Sequence, residues 1–144
     1  MSTDVKCMYQ GQITSFFIPT VTLVGPNCSK EIPYRLKSLG AKHPLIVTDK
    51  GIVACGILKQ ITDILDEGGV SYVVFDGAVP NPTDKNVHDA AEVYKANGCD
   101  SLITLGGGSS HDCGKGVGFL VSNGGKIQDY EGVDKSSKPF PPYV

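Results

Sequence analysis

The sequence predicts an α/β fold: a Rossmann-like open parallel sheet with helices on both faces, preceded by a β-hairpin. Three observations carry this. Short apolar runs at 44–49, 71–75 and 100–105 alternate with longer stretches at helical spacing. The runs are continuously apolar rather than alternating, as in strands covered on both faces. Glycine or a polar turn separates each strand from the next helix.

In chain order, residues 13–24 are rich in β-branched and aromatic residues and break at Pro19-Thr20, which predicts a two-stranded hairpin closed by Gly25-Pro26-Asn27. A helix follows with Ile32, Leu36 and Leu39 on one face and Gly40 as its stop. Pro33 is tolerated only in a first turn, so this helix starts as late as Ile32. Pro44–Asp49 is a buried strand ending in an acid. Ile57, Leu58, Ile61, Ile64 and Leu65 place a helix over 55–67, ended by Gly68-Gly69. Ser71–Phe75 is the next strand, and Thr83 caps a helix with Val87, Ala90, Ala91 and Tyr94 on its inner face and Gly98 beyond its end. Asp100–Leu105 is a third strand. Gly106-Gly107-Gly108-Ser109 leads to a helix from about His111 to Val121, closed by Asn123-Gly124-Gly125. The tail carries Pro139, Pro141 and Pro142, a stiff connector, and Tyr143-Val144 reads as the first step of another strand.

With 144 residues the chain suits one domain, able to bury roughly two-thirds of its unfolded surface. A net charge of −2 with no Lys/Arg cluster gives no case for nucleic acid. No apolar run approaches membrane-spanning length, and Met1-Ser2-Thr3-Asp4 does not open a signal peptide. The five cysteines are odd in number, widely spaced and lack a C-x-x-C. Free thiols in a reducing, cytoplasmic setting are the expectation. His43, His88 and His111 show no metal-ligand spacing.

The strongest local feature is Leu105-Gly106-Gly107-Gly108-Ser109-Ser110-His111-Asp112. Glycines between strand and helix allow close backbone approach and positive φ. The following helix aims free N–H groups and its positive end at the loop, a receptor for phosphate or pyrophosphate. A tight turn without a ligand is the alternative. The G-x-G-x-x-G fingerprint fails at His111, and a Walker A loop fails at Ser109 and Gly116. Asp49, at a strand's carboxyl end, can accept from the ribose hydroxyls of adenosine and repel a 2′-phosphate; helix capping is its other reading. Asn81-Pro82 is a third loop at the same sheet edge. His111 and Asp112 can serve as capping and charge–dipole groups or in proton transfer.

Ile46-Val47-Thr48-Asp49-Lys50-Gly51, Phe75-Asp76-Gly77-Ala78-Val79-Pro80-Asn81-Pro82 and Gly106 through Gly116 occur in that order. Together they resemble the amino-terminal domain of iron-dependent (group III) alcohol dehydrogenases, near the 1,3-propanediol and methanol dehydrogenase branch. The resemblance implies a dehydroquinate synthase-like amino-terminal fold over 1–144. It implies NAD held by Asp49 at the ribose, Asn81 nearby, Gly107, Gly108 and Ser109 at the pyrophosphate, and Asp112 towards the nicotinamide. Lys115 matches the motif too, with no role assigned. It further implies a helical carboxyl-terminal domain, absent here, that holds Fe²⁺ or another divalent metal through one Asp and three His and binds an alcohol or aldehyde. The expected activity is hydride transfer between NAD and a primary alcohol or diol, with no catalytic or metal residue in this chain, which alone is expected to be inactive. A non-catalytic nucleotide- or phosphate-binding module is the alternative. Self-association through the hairpin edge is a further expectation.

Overall fold

The computed structural model describes residues 20–144. The hairpin expected over 13–24 falls mostly outside them, and its described part, residues 20–24, is not in a strand. A short 3₁₀ turn, Cys28–Glu31, leads into α1, Ile32–Ser38. Pro33 stands in the first turn, as the sequence requires. Leu36 is fully buried, but Leu39 falls one residue past the helix and is half-exposed.

Three strands form one parallel sheet: β1 (Pro44–Val47), β2 (Val73–Phe75) and β3 (Ser101–Thr104), in the order β2-β1-β3. Leu45 pairs with Val73 on one side and Leu102 on the other. Both β1 and β3 are buried along their whole length, which is why they read as unbroken apolar runs. β2 is an edge strand and only partly covered. Each strand is shorter than its apolar run.

The helix expected over 55–67 is α3 (Ile57–Glu67), and a short helix that was not expected, α2 (Lys50–Ala54), precedes it. Gly56, at φ 81°, separates them, a left-handed conformation that glycine adopts without penalty. Asp49 is therefore not a strand residue but the N-cap of α2. α4 spans Asp84–Ala96, with a capping box between Thr83 and Asn86. Its expected inner face, Val87, Ala90, Ala91 and Tyr94, is buried. α5 runs Gly108–Asn123, starting three residues before the expected His111 because the glycine run itself supplies the first helical residue.

The helices sort onto two faces. Leu36 of α1 and Ile61 and Leu65 of α3 pack on Ile46 and Ile103. α4 and α5 pack on Leu45, Val47 and Leu102. α3 follows β1 and α5 follows β3, so the connections leaving these neighbouring strands depart to opposite faces. Their carboxyl ends therefore border a topological switch point, where open α/β sheets leave a crevice. The tail folds back: Phe140 meets Phe119 edge-on at 4.8 Å, and Tyr143 pairs in parallel with Leu102. Tyr143-Val144 thus occupies a fourth strand position beside β3. No helix among the described residues is long and apolar enough to cross a membrane.

Candidate nucleotide site at the sheet edge

The carboxyl ends of the strands are held together by Thr48, which is fully buried. Its N–H donates to the Phe75 carbonyl at 2.9 Å, and its hydroxyl donates to the Leu105 carbonyl at 2.7 Å. The loop after β2 is pinned in turn, with Ala78 N–H donating to the Thr48 carbonyl and the Asn86 side chain donating to the Gly77 carbonyl. A cleft of about 580 Å³ opens above this junction. Asp49 and Lys50 line it after β1, Ala78 and Pro80 after β2, and Gly107, Gly108 and Ser109 after β3.

The three consecutive glycines differ in what they do. Gly106 alone has a positive φ, 144°, and a Cβ there would lie 2.5 Å from the Ser110 Oγ. Gly107, at φ −88°, and Gly108, inside the helix, are in ordinary backbone regions, so of the three only Gly106 uses the positive φ that glycine allows. A Cβ on either would meet no protein atom within 4 Å. Gly107 is the N-cap of α5, and no side chain caps that helix. Its first N–H groups, which lack helical partners, lie beside bare backbone at the cleft wall.

Of the two readings of Asp49, the helix cap is present, and its second oxygen makes a contact that the sequence did not foretell. Oδ1 caps α2 by accepting from Gly51 N–H at 2.8 Å and Ile52 N–H at 3.0 Å. Oδ2 accepts the Ser110 hydroxyl at 3.2 Å. Asn81 sits beside the cleft in a left-handed turn, φ 53°, and its N–H donates to the Ser109 Oγ at 3.3 Å. Asp112 is not in this cleft. It lies one turn into α5, in a separate groove with Thr83 and Phe119, paired to Lys115 at 3.3 Å. The His111 ring is turned away as well, its Nδ1 2.6 Å from Thr104 Oγ1. Cys113 is fully buried, and burial pushes its thiol up to about 11, so it is no nucleophile at neutral pH.

Sequence reasoning passed over Ser110, Lys50 and Asp76, the last two on the cleft rim. Asp76 stands directly after β2 and Lys50 directly after the strand expected over 44–49, which was a usable signal. Ser110 had none, since its partner is 61 residues away. The later glycines of α5 have no part in the cleft. A Cβ would strike Thr104 at Gly114, Val87 at Gly116 and Phe140 at Gly118. Among the described residues, no three His, Cys, Asp or Glu side chains gather as a metal site.

The fold and cleft define an open α/β domain with a crevice at its switch point. Residues 19–144 match the iron-containing alcohol dehydrogenase family, and the chain belongs to it. It is 45% identical over 143 residues to alcohol dehydrogenase 4 of Schizosaccharomyces pombe, covering 99% of this chain and 33% of that protein. It is 42% identical over 132 residues to the NAD-dependent methanol dehydrogenase of Bacillus methanolicus, covering 92% and 35%. The crystal structure of a 1,3-propanediol oxidoreductase superposes with a TM-score of 0.88 at 38% identity, over 92% of this chain and 35% of that one. The chain thus spans about a third of the length of these relatives.

Proposed function

We propose that this chain is the NAD(H)-binding part of an alcohol dehydrogenase that moves hydride between NAD and a primary alcohol, diol or aldehyde. The observation that carries this is the bare backbone of Gly107 and Gly108, which faces the cleft at the start of α5 next to Asp49. Neither the fold nor the backbone conformation requires glycine at these two positions. Close approach of a pyrophosphate does require it. In this reading the first N–H groups of α5 and the Ser109 hydroxyl hold the pyrophosphate. Asp49 takes the adenosine ribose, Asn81 borders the cofactor through its link to Ser109, and Asp112, in the separate groove one turn further along α5, lies towards the nicotinamide side. Bound NAD supplies the hydride acceptor.

In the same reading, the metal and the alcohol are assigned to parts of the complete protein outside this chain. The relatives' greater length supports that assignment. A reducing cytoplasmic setting fits the free Cys28, Cys55, Cys99 and Cys113. Self-association through residues 13–24 rests on their β-branched pattern, and analytical ultracentrifugation reads it directly.

Gly108→Val tests the cofactor site. A Cβ at 108 meets no protein atom within 4 Å, but the side chain stands where the pyrophosphate would pass. Calorimetry should show NAD affinity of the complete protein falling roughly a hundredfold, the worth of two or so charge-assisted hydrogen bonds. Circular dichroism should show an unchanged fold. Unchanged affinity in a folded variant would make the glycine run a turn and nothing more.

A further inference from the structure

The Asp49 carboxylate reaches the cleft with most of its hydrogen-bonding capacity already used. A carboxylate offers about four acceptor sites. Oδ1 takes two N–H groups, from Gly51 and Ile52, and Oδ2 takes the Ser110 hydroxyl. One acceptor site, on Oδ2, is left for a ligand. Ser110 is 0% exposed, so it does not itself touch anything in the cleft. Its bond crosses from the first turn of α5 to the end of β1. It couples the loop assigned to the pyrophosphate with the acid assigned to the ribose.

Gly106 shows that the sequence makes room for this bond. Its φ of 144° already favours glycine, and a Cβ there would lie 2.5 Å from Ser110 Oγ and 3.1 Å from Asp49 Oδ2. Any side chain at 106 would occupy the space in which the hydroxyl and the carboxylate meet. The first glycine of the run therefore protects a side-chain contact, whereas the next two leave the cleft wall open.

Resting on the cofactor reading above, we propose that Ser110 is a positioning residue for the adenosine ribose. By occupying one site on Oδ2, its hydroxyl fixes the direction of the remaining one, so Asp49 receives a single ribose hydroxyl. The second ribose hydroxyl then finds no acceptor on Asp49. Without Ser110 the carboxylate is held through Oδ1 alone, and the ribose bond loosens while the pyrophosphate contacts stay.

The test compares ADP, 2′-deoxy-ADP and 3′-deoxy-ADP binding to the complete protein and to its Ser110→Ala variant by calorimetry, with thermal melts as the fold control. In the parent protein, removing one of the two hydroxyls, and not the other, should weaken binding about tenfold, the worth of one hydrogen bond to a charged group. Ser110→Ala should weaken ADP several-fold yet leave the affected deoxy-ADP within twofold of the parent. A structural role would weaken all three ligands alike, and that result, or no change for any of them, overturns the assignment of Ser110. A parent protein that weakens equally on losing either hydroxyl overturns the single-acceptor geometry. A parent protein that binds all three ligands equally shows that Asp49 does not read the ribose, and one that binds none of them removes the cofactor site; the inference falls in either case.

Discussion

Asp49 has two tasks that are chemically separable. As the N-cap of α2 it needs an acceptor oxygen, and as a cofactor discriminator it needs charge. Asparagine is as good a cap as aspartate but is neutral. Asp49→Asn should therefore keep the melting temperature and raise the complete protein's preference for NADP relative to NAD by about tenfold. Measured affinities for the two cofactors decide it. An unchanged ratio would reduce Asp49 to a cap. Glycine at 49 is a less clean probe, because it also removes the side-chain acceptor. The acid itself was legible in the sequence from its place after an apolar run. The division of its two oxygens was not, because one partner is local and the other lies 61 residues away.

At the scale of elements, α5 is the helix on which the domain is built, and its glycines set how closely it packs. Gly114 lies against β3, Gly116 against α4 and Gly118 against the returning tail. In an exposed helix, glycine to alanine stabilises by about 1 kcal/mol. Here the sign reverses, because a Cβ at 114 would stand 2.2 Å from Thr104 Cγ2. Gly114→Ala should destabilise by about 1–3 kcal/mol through overpacking. Lys115→Ala, on the exposed side in a solvent-facing ion pair, should change stability by no more than about 0.5 kcal/mol. Urea unfolding of the two variants measures the contrast, and a stabilised Gly114→Ala would show that α5 sits further from β3. The inner face of α4 was readable because its apolar residues repeat at helical spacing. The start of α5 and the break at Gly56 were not, because glycine carries no periodic signal and its conformation depends on what surrounds it.

Across the whole molecule, the sheet is tied at its amino edge by one carboxylate. Asp100, just before β3, accepts the N–H groups of Lys42 and His43, each at 2.9 Å, and the Ser101 hydroxyl at 2.7 Å. Burial alone would raise this carboxyl, but the hydrogen bonds from His43, Ser101 and Lys42 outweigh it and hold the group below its usual range. A carboxyl depressed in the folded state stabilises the protein above its unfolded pKa, and that contribution is lost as pH falls through the folded value. The advantage of the parent over Asp100→Asn should therefore be constant from neutral pH down to about 4 and shrink below it. Melting temperatures from about pH 2.5 to about pH 7, spanning the unfolded pKa, follow this directly. A difference that does not change with pH would mean that Asp100 acts without its charge.

The sequence by itself determined the alternation of strands and helices, the two-faced burial of β1 and β3, the inner face of α4 and the three loops of the sheet edge. Apolar runs, 3.6-residue spacing and turn residues are local properties, and each survives in a one-dimensional reading. It also placed Asp49, Gly107, Gly108 and Ser109, which the fold gathers around one cleft. Only the tertiary structure decided that Asp112 faces another groove, that Gly106 and not its neighbours holds the positive φ, and that buried Ser110 binds Asp49. These facts depend on which side chains meet across the sheet, and such meetings are fixed when α5 packs against β1 and β3, not by any residue's near neighbours in the chain.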